Sequence, residues 1–370
     1  MKQVYIIDYI RTPIAKFQGG LSEVRADDLA AIVLKEIVKR NPQIPAEEIE
    51  DVILGCANQA GEDNRNVARM ASLLAELPIK IGGETVNRLC ASGMAAIANA
   101  YRAIAIGEGD FYIAGGVEQM TRAPYVLSKS AQPFGRDVQL FDSSFGWRFI
   151  NPKMKELYGV DGMGETAENL AEIYKISREA QDEFALHSQQ KATSAQNSGR
   201  LAQEIVNVEI PQKKGEPKIF SQDEFVKPDT TLDKLAKLRP AFKKEGGSVT
   251  AGNSSGLNDG AAAMILASED AVKKYNLKPL AKIISSAVVG VEPRIMGIGP
   301  VEATKKALSR ANLSLEDMDI IELNEAFAAQ ALSVLQELGI DAKDERLNPN
   351  GGAIALGHPL GMSGTRIVGT

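Results

Sequence analysis

The sequence predicts an α/β protein made of two related halves, with a large insertion in the first half. Strand-like and helix-like segments alternate over residues 1–121, which is typical of a sheet covered by helices on both faces. From about 122 to 256 prolines and charged helices replace this alternation, and strand and helix return afterwards. We therefore predict a first half formed by 1–121 plus 257–277, a loop domain over 122–256, and a second half over 278–370.

Two kinds of spacing predict the elements of the first half. Runs rich in β-branched and aromatic residues predict strands, and apolar residues that recur at intervals of three and four predict helices. The opening run VYIIDYI fits a strand, and the next segment has apolar residues at 29, 32, 33, 37 and 38, as a helix requires. The predicted order is strand 4–10, helix 26–38, strand 50–57, helix 66–77, strand 84–90, helix 91–107 and strand 110–120.

The insertion and the second half are less regular. A charged helix over 177–199 is the clearest element of the insertion, 260–275 predicts a strand and a helix, and 281–289 is an extended apolar segment. An acidic segment precedes an apolar run twice, in PAEEIEDVILGCA (45–57) and in LSLEDMDIIELNEA (313–326). This faint repeat favours a duplicated fold, although an acidic turn before a strand is common in α/β proteins.

Composition excludes several classes of function. The 370 residues include 42 Lys and Arg against 48 Asp and Glu, a net charge of −6, so no overall positive field attracts nucleic acid or an anionic membrane. Cys56 and Cys90 are far apart, and with only two histidines they match neither a metal site nor a disulfide framework. We expect no metal, no signal peptide or membrane span, and a cytoplasmic protein whose thiols stay reduced.

Cys90 and His358 are the candidates for nucleophilic chemistry. Cys90 precedes the small-residue segment ASGMAAIANA, and the positive end of a helix there would lower the pKa of the thiol. The alternative is a small buried apolar residue, which is the expected role of Cys56. His358 lies in GGAIALGHPLGMSG (351–364), where a substrate could reach it, unless it is only a solvated loop residue. His187, on the charged helix, is expected to have no catalytic role.

Asn324 and a glycine- and serine-rich loop are candidates for ligand binding. Asn324 follows the apolar run IIEL at a predicted strand end, where open α/β sheets place ligands, although Asn is also a common helix N-cap. The loop GGSVTAGNSSGLNDGAAA (246–263) offers backbone amides to a phosphate, or is a flexible hinge. Positive residues that would form a local pocket for a polyphosphate, or merely a solvated helix face, are Lys227, Lys234, Lys237, Arg239, Lys243 and Lys244.

Five segments together resemble the thiolases, which are acyl-CoA:CoA acyltransferases. The segments are NRLCASG (87–93), AGGVEQMTRAPY (114–125), TAGNSSGLNDGAAA (250–263), NEAFAAQ (324–330) and NPNGGAIALGHPLGMSG (348–364). Their order along the chain is that of the family, and the resemblance extends over all 370 residues. It implies a thiolase fold, with two related five-layered α/β halves, mixed sheets and an inserted loop domain, assembled as a homodimer or homotetramer.

The resemblance also implies a role for individual residues. Cys90 is similar to the nucleophile that takes the acyl group as a thioester, His358 to the base that activates it, and Asn324 to the residue that positions a water in the oxyanion site. The positions that match the CoA and substrate channel are Ser255, Ala251, Leu238, Phe242, Met163, Lys227 and Ala326. The implied reaction cleaves a 3-oxoacyl-CoA, as in fatty acid metabolism and β-oxidation, with CoA as co-substrate and no bound cofactor.

Two features depart from the family pattern. The family has a second cysteine, in a CxGxG stretch after the histidine motif, that exchanges a proton with the acetyl methyl group. The sequence ends at Thr370 before any such motif. We expect an incomplete sequence, and for the sequence as it stands we predict acylation of Cys90 with impaired Claisen chemistry.

The second departure concerns the acyl chain. Gly162 stands where acetoacetyl-CoA-forming members usually have histidine, and LFDSSFGWRFINPKMKELYGVD (140–161) is similar to 3-oxoadipyl-CoA and related degradative thiolases. We therefore expect a degradative enzyme. A dicarboxylate acyl chain would require a cation in the loop domain, and Arg148 or Lys153 could supply it.

Other functions remain open at this stage. A biosynthetic acetoacetyl-CoA thiolase and a non-catalytic CoA- or acyl-binding relative, lacking the second cysteine, are the main alternatives. A ketoacyl synthase would need a second catalytic histidine, for which only His187 is left. A cysteine hydrolase would have no use for a polyphosphate-binding loop.

Overall fold

The computed structural model describes residues 2–370, and its first half is a mixed sheet with helices on both faces. The predicted alternation over the first 121 residues is confirmed, with boundaries that shift by a few residues. The elements are β1 (Val4–Arg11), β2 (Ala15–Lys16), α1 (Ala26–Arg40), β3 (Ile49–Gly55), α2 (Val67–Leu74), β4 (Glu84–Val86), α3 (Ser92–Ile106) and β5 (Phe111–Gln119).

The insertion consists of short hairpins and helices around one long helix. The predicted charged helix is confirmed, and it begins where the Ser177 hydroxyl accepts a hydrogen bond from the Ala180 N–H at 3.1 Å. The elements are β6 (Tyr125–Leu127), β7 (Leu140–Asp142), α4 (Pro152–Tyr158), α5 (Met163–Ile173), α6 (Arg178–Asn197), β8 (Val208–Ile210), β9 (Lys218–Phe220) and α7 (Leu232–Ala236).

The chain then returns to the first sheet before it forms a mainly helical second half. The elements are β10 (Asn258–Ser268), α8 (Glu269–Lys274), β11 (Ala281–Lys282), α9 (Gly299–Ala311), α10 (Ala328–Leu338), α11 (Ala353–Leu356) and α12 (Leu360–Gly369). The seven-stranded sheet has the order β11-β1-β10-β5-β3-β4, with β2 beside β10. Strand β10 is antiparallel to β1 and β5, whereas β5, β3 and β4 are parallel. Every residue of β5 and β10 is buried, as expected of central strands covered on both faces.

The second half differs from the prediction in its strands. The extended segment predicted over 281–289 pairs only through β11, and the run 320–323 makes one isolated bridge, between Ile321 and Leu347. An extended segment becomes a strand only where a neighbour pairs with its backbone, and among residues 2–370 no further strand lies beside these two. The acidic turns of the repeat are present, since short 3₁₀ helices at Ala46–Glu48 and Leu315–Asp317 precede both runs.

Helix α12 leaves the second half and packs beside α3 on one face of the first sheet, opposite α1 and α2. Glycines make this close approach possible, because a Cβ on Gly116 of β5 would overlap the carbonyl oxygen of Gly361. By length and composition Leu89–Ile106 could also cross a membrane, but core helices pass the same test, and α3 packs against β3, β5 and α12. Because α12 packs beside α3 on the sheet, the first residues of these two helices lie close together.

Candidate active site

Cys90 lies in a tight turn between β4 and α3. The strand predicted over 84–90 is wrong beyond Val86, because side chains cap the following backbone: the Asn87 Oδ1 accepts from the Leu89 N–H at 2.9 Å, and the Ser92 Oγ accepts from the Arg88 N–H at 2.8 Å. Leu89 takes a left-handed conformation with φ +47°, which is uncommon for a leucine. The turn leaves Cys90 half-buried immediately before the helix.

The environment of Cys90 favours the thiol over the thiolate. Burial, together with the negative charge of the nearby Glu118, raises the pKa of Cys90 to about 11. The lowering of its pKa that the sequence predicts is therefore wrong for the resting site. The reason is that Cys90 precedes Ala91, the N-cap of α3, and so gains too little from the helix dipole to offset desolvation. A base must take the proton when the sulfur attacks.

His358 lies immediately before α12 and is buried, with 4% of its surface exposed. Its backbone N–H donates to Asn258 Oδ1 at 2.8 Å, and its Nδ1 lies 2.7 Å from the Ser363 Oγ. Burial, together with the positive charge of Arg366, lowers the pKa of His358 to about 4. The imidazole is therefore neutral at neutral pH and able to accept a proton.

The hydrogen bonds of His358 assign its tautomer. The Ser363 hydroxyl donates its one proton to the Pro359 carbonyl at 2.9 Å, so the Nδ1–H of His358 donates to that hydroxyl. The Nε2 then carries no proton, and its lone pair accepts from the Asn324 Nδ2 at 3.3 Å. The basic nitrogen of the ring is thus Nε2, on the side of Asn324.

Asn324 joins this site as predicted, but not as the cap of a helix. The N-cap of α10 is Phe327, so the N-cap interpretation of Asn324 is wrong. Paired hydrogen bonds between Asn348 and the backbone of Leu323, at 2.8 and 2.9 Å, hold the segment in place. The Oδ1 of Asn324 is buried without a partner, which fits a small polar ligand such as water.

Close packing of two helix starts brings the cysteine and histidine segments together. A Cβ on Gly93, in the first turn of α3, would lie 2.6 Å from Thr365 Oγ1 and 2.7 Å from the carbonyl oxygen of Gly361, both in α12. Cys90 and His358 precede these two helices by two residues each. The structure therefore brings the two segments to one site, as the resemblance implies.

Glu118, at the end of β5, connects the loop at 57–58 to the start of α12 by hydrogen bonds. The sequence motifs did not identify this residue. Its carboxylate accepts three backbone N–H groups, from Ala57 at 3.0 Å, Asn58 at 3.0 Å and Gly361 at 2.7 Å. Burial nevertheless raises the pKa of Glu118 to about 7. A carboxylate in an otherwise apolar strand was the available signal, since such a residue is rarely buried without partners.

Cys56 lies behind this site. It is fully buried, and burial raises its pKa well above the usual value, so the prediction of a core residue is confirmed. Its thiol, Asp63 and Glu118 lie close enough to hold a metal ion. Three backbone N–H groups already hydrogen-bond to the Glu118 carboxylate, which gives it a structural role that requires no metal.

The residues predicted to bind CoA pack around two neighbouring segments, 251–256 and 326–327, the second of which follows Asn324. Ser255 donates from both its N–H and its Oγ to the Ala326 carbonyl at 3.0 Å. Phe242 packs edge-on against Phe327, with ring centroids 6.0 Å apart. A Cβ on Gly164, next to Met163, would meet the Phe242 ring, and one on Gly252, next to Ala251, would meet Leu238. Lys227 stacks on Phe225, whose ring lies against Gly256, next to Ser255.

The lysine-rich segment is only partly available to a ligand. Lys234 pairs with Asp229 at 2.5 Å and Lys243 pairs with Glu172 at 3.1 Å. Within the described chain, no carboxylate lies within 4.0 Å of the charged nitrogens of Lys227, Lys237, Arg239 or Lys244. These four residues retain the positive charge that a polyphosphate would need.

Two family models match the chain: Thiolase, N-terminal domain, over residues 4–270, and Thiolase, C-terminal domain, over 277–370. The chain belongs to the thiolase family. This thiolase is an acyltransferase that cleaves 3-oxoacyl-CoA with CoA. The family match decides against the ketoacyl synthase and cysteine hydrolase alternatives.

Curated relatives match this thiolase over nearly its whole length. It is 59% identical to the 3-oxoadipyl-CoA/3-oxo-5,6-dehydrosuberyl-CoA thiolase of Escherichia coli (strain K12), over 99% of this chain and 91% of the relative. It is 59% identical to a beta-ketoadipyl-CoA thiolase of Acinetobacter baylyi, over 100% of this chain and 92% of the relative. Another beta-ketoadipyl-CoA thiolase, from Pseudomonas knackmussii, is 60% identical over 99% of this chain and 91% of the relative.

Solved structures confirm the thiolase fold. The Bacillus anthracis acetyl-CoA acetyltransferase superposes with a TM-score of 0.92 at 43% identity, covering 100% of this chain and 91% of that one. Human mitochondrial 3-ketoacyl-CoA thiolase in complex with CoA gives a TM-score of 0.90 at 41% identity, covering 100% and 90%.

Proposed function

We propose that this thiolase cleaves 3-oxoadipyl-CoA with CoA, giving acetyl-CoA and succinyl-CoA through an acyl-thioester on Cys90. The observation that supports 3-oxoadipyl-CoA as the substrate is the 59% identity, over 99% of the chain, to a relative named for 3-oxoadipyl-CoA. The observation that supports the chemistry is the neutral imidazole of His358, whose unprotonated Nε2 is the basic nitrogen of the ring.

The first half of the reaction forms the acyl-enzyme. His358 Nε2 takes the proton of the Cys90 thiol as the sulfur adds to the 3-keto carbon of the substrate. Asn324 stabilises the oxyanion, its Nδ2 acting directly or its Oδ1 through a bound water. The bond between the second and third carbons then breaks, and the acyl group stays on Cys90 as a thioester. The acetyl-CoA enolate leaves and takes its proton from the His358 imidazolium, so that the imidazole is neutral again for the second half.

The second half of the reaction returns the enzyme to its resting state. The thiol of CoA gives its proton to His358 Nε2 and attacks the thioester carbonyl. The Cys90 sulfur leaves and recovers the proton from the imidazolium. Because Cys90 rests as a thiol, the same imidazole serves both halves.

Thiolysis assays test the substrate. We expect the purified enzyme to convert 3-oxoadipyl-CoA and CoA to acetyl-CoA and succinyl-CoA with a higher kcat/KM than it shows for acetoacetyl-CoA. We expect Cys90→Ala to abolish this activity. A higher kcat/KM for acetoacetyl-CoA would instead favour the biosynthetic alternative, and turnover by the Cys90→Ala enzyme would remove Cys90 from its role.

We also propose a cytoplasmic homo-oligomer, a dimer or a tetramer. Two free cysteines support a reducing compartment. Exposed apolar side chains of the insertion, including Tyr125, Leu127 and Leu140 on the β6–β7 hairpin, support burial against another copy. Light scattering coupled to gel filtration would give the mass, and a monomer would refute the assembly.

A further inference from the structure

We infer that Arg148 binds the terminal carboxylate of the acyl chain, an inference that rests on the proposed function for its substrate. A 3-oxoadipyl chain ends in a carboxylate that is ionised at neutral pH. Attack at the keto carbon brings this charge close to Cys90, since only three bonds separate the two carbon atoms. An ion held in a half-buried site needs a partner of opposite charge.

Arg148 is a partly buried cation that lacks such a partner. It lies in the loop after the β6–β7 hairpin, and its Nη2 donates to Asn58 Oδ1 at 3.2 Å. Within residues 2–370 no carboxylate oxygen lies within 4.0 Å of its nitrogens. Its remaining N–H donors form the fork that suits a carboxylate.

The anchor of Arg148 belongs to the catalytic site. Asn58 donates its backbone N–H to Glu118, which also holds the start of α12. The neighbouring Ala57 carbonyl accepts from the Asn87 Nδ2 at 2.9 Å, and Asn87 fixes the turn that carries Cys90. A second contact, from Asn58 Nδ2 to the Ser143 Oγ at 3.3 Å, holds the insertion on this loop. The guanidinium is thus attached to the same backbone that positions the nucleophile.

Two other cations of this region, Lys153 and Arg294, have partners already. Lys153, the alternative from the sequence, is exposed on α4 and lies 3.6 Å from Glu156. Arg294 pairs with Asp161 at 3.1 Å. The structure therefore favours Arg148 over Lys153 as the partner of the carboxylate.

Acylation of Cys90 by two acyl-CoAs of equal carbon number tests this inference. Succinyl-CoA and butyryl-CoA differ only in the terminal group, and transfer of either acyl group to Cys90 requires no carbon–carbon bond chemistry. The rates would be measured by intact mass for the wild type, Arg148→Gln, Arg148→Lys and the control Lys153→Gln. The ratio of the two rates in one preparation is independent of the fraction of folded enzyme.

We expect Arg148→Gln to lower the succinyl-to-butyryl ratio by about 10- to 100-fold, the usual effect of losing a hydrogen bond between charged groups. We expect Arg148→Lys to give a ratio between those of Arg148→Gln and the wild type, and Lys153→Gln to keep the wild-type ratio. An unchanged ratio in Arg148→Gln, or an equal fall in Lys153→Gln, would overturn the inference. Cleavage of acetoacetyl-CoA but not of 3-oxoadipyl-CoA by the wild type, with normal succinylation of Cys90, would instead overturn only the proposed function.

Discussion

The pairing of a high-pKa thiol with a low-pKa imidazole defines how this site works at rest. Burial raises the pKa of Cys90 to about 11 and lowers that of His358 to about 4, so neither residue is charged at neutral pH. A neutral pair avoids the cost of holding two ions in a desolvated site. The substrate therefore meets a thiol and a base, and the proton moves only during attack.

Alkylation of the cysteines tests this neutral pair. We expect iodoacetamide to label Cys90 and not the buried Cys56, and we expect acyl-CoA to slow the labelling. Because only the thiolate reacts, the rate should rise about tenfold per pH unit towards a pKa of about 11. Peptide mapping and the rate at several pH values measure both effects. A plateau already reached near neutral pH would show a thiolate–imidazolium pair instead.

The raised pKa of Glu118 makes a prediction about stability. Its pKa rises from 4.5 to about 7 on folding, so between these values the folded state holds a proton that the unfolded state releases. Stability is therefore greatest below pH 4.5 for this group and falls as the pH rises to 7, by about 3 kcal/mol in total.

Glu118→Gln removes this titration. Denaturant unfolding at several pH values should show a smaller fall in stability between pH 4.5 and 7 for the variant than for the wild type. Since Asp259 and Glu322 also have raised pKa values and remain in both proteins, the difference between the two slopes isolates Glu118. Parallel slopes would mean that Glu118 is ionised in the folded enzyme throughout this range.

Among the secondary-structure elements, those with a regular spacing of apolar residues could be predicted from the sequence. Strands that form only where a neighbouring strand pairs with them could not. Helix α1 and strand β5 followed from apolar spacing. The run IIEL reads as a strand, but it pairs only at Ile321. The motifs located Cys90, His358 and Asn324. The role of Glu118 rests on three N–H groups from two distant segments, 57–58 and Gly361, and could not be predicted from its neighbours in the sequence.

The close contact between α12 and the first sheet leaves no room for a side chain at Gly361. A Cβ on Gly361 would lie 2.6 Å from the Gly55 carbonyl oxygen and 2.9 Å from Cys56 Cα, too close for any side chain. We expect Gly361→Ala to push the start of α12 away from the sheet and to cost about 1–3 kcal/mol. Because His358 precedes α12, the acylation rate of Cys90 should also fall.

Gly290→Ala is the matched control, since no atom lies within 4 Å of the position its Cβ would take. It should keep both the wild-type midpoint of chemical denaturation and the wild-type acylation rate. Full acylation by Gly361→Ala would show that the site tolerates displacement of α12.

At the scale of the whole molecule, one buried arginine joins the first sheet to the insertion. Arg11, at the end of β1, is fully buried and donates to Glu204 at 2.7 Å and to Asp223 at 2.7 and 2.9 Å. Asp223 also accepts the Ile14 N–H at 2.8 Å. The insertion is thus fixed to the sheet that carries Cys90, and with it the loop that carries Arg148.

Arg11→Met should be among the most destabilising single changes. It keeps much of the apolar stem but leaves the buried Asp223 without its cation and Glu204 paired with Arg200 alone, which typically costs about 3–5 kcal/mol. Lys273→Met, which removes an exposed pair with Glu269 on α8, should change the midpoint of urea unfolding little. Adding Asp223→Asn to Arg11→Met should recover part of the loss, because one unpaired charge is then removed. If Arg11→Met unfolds at the same urea concentration as Lys273→Met, the network does not hold the insertion to the sheet.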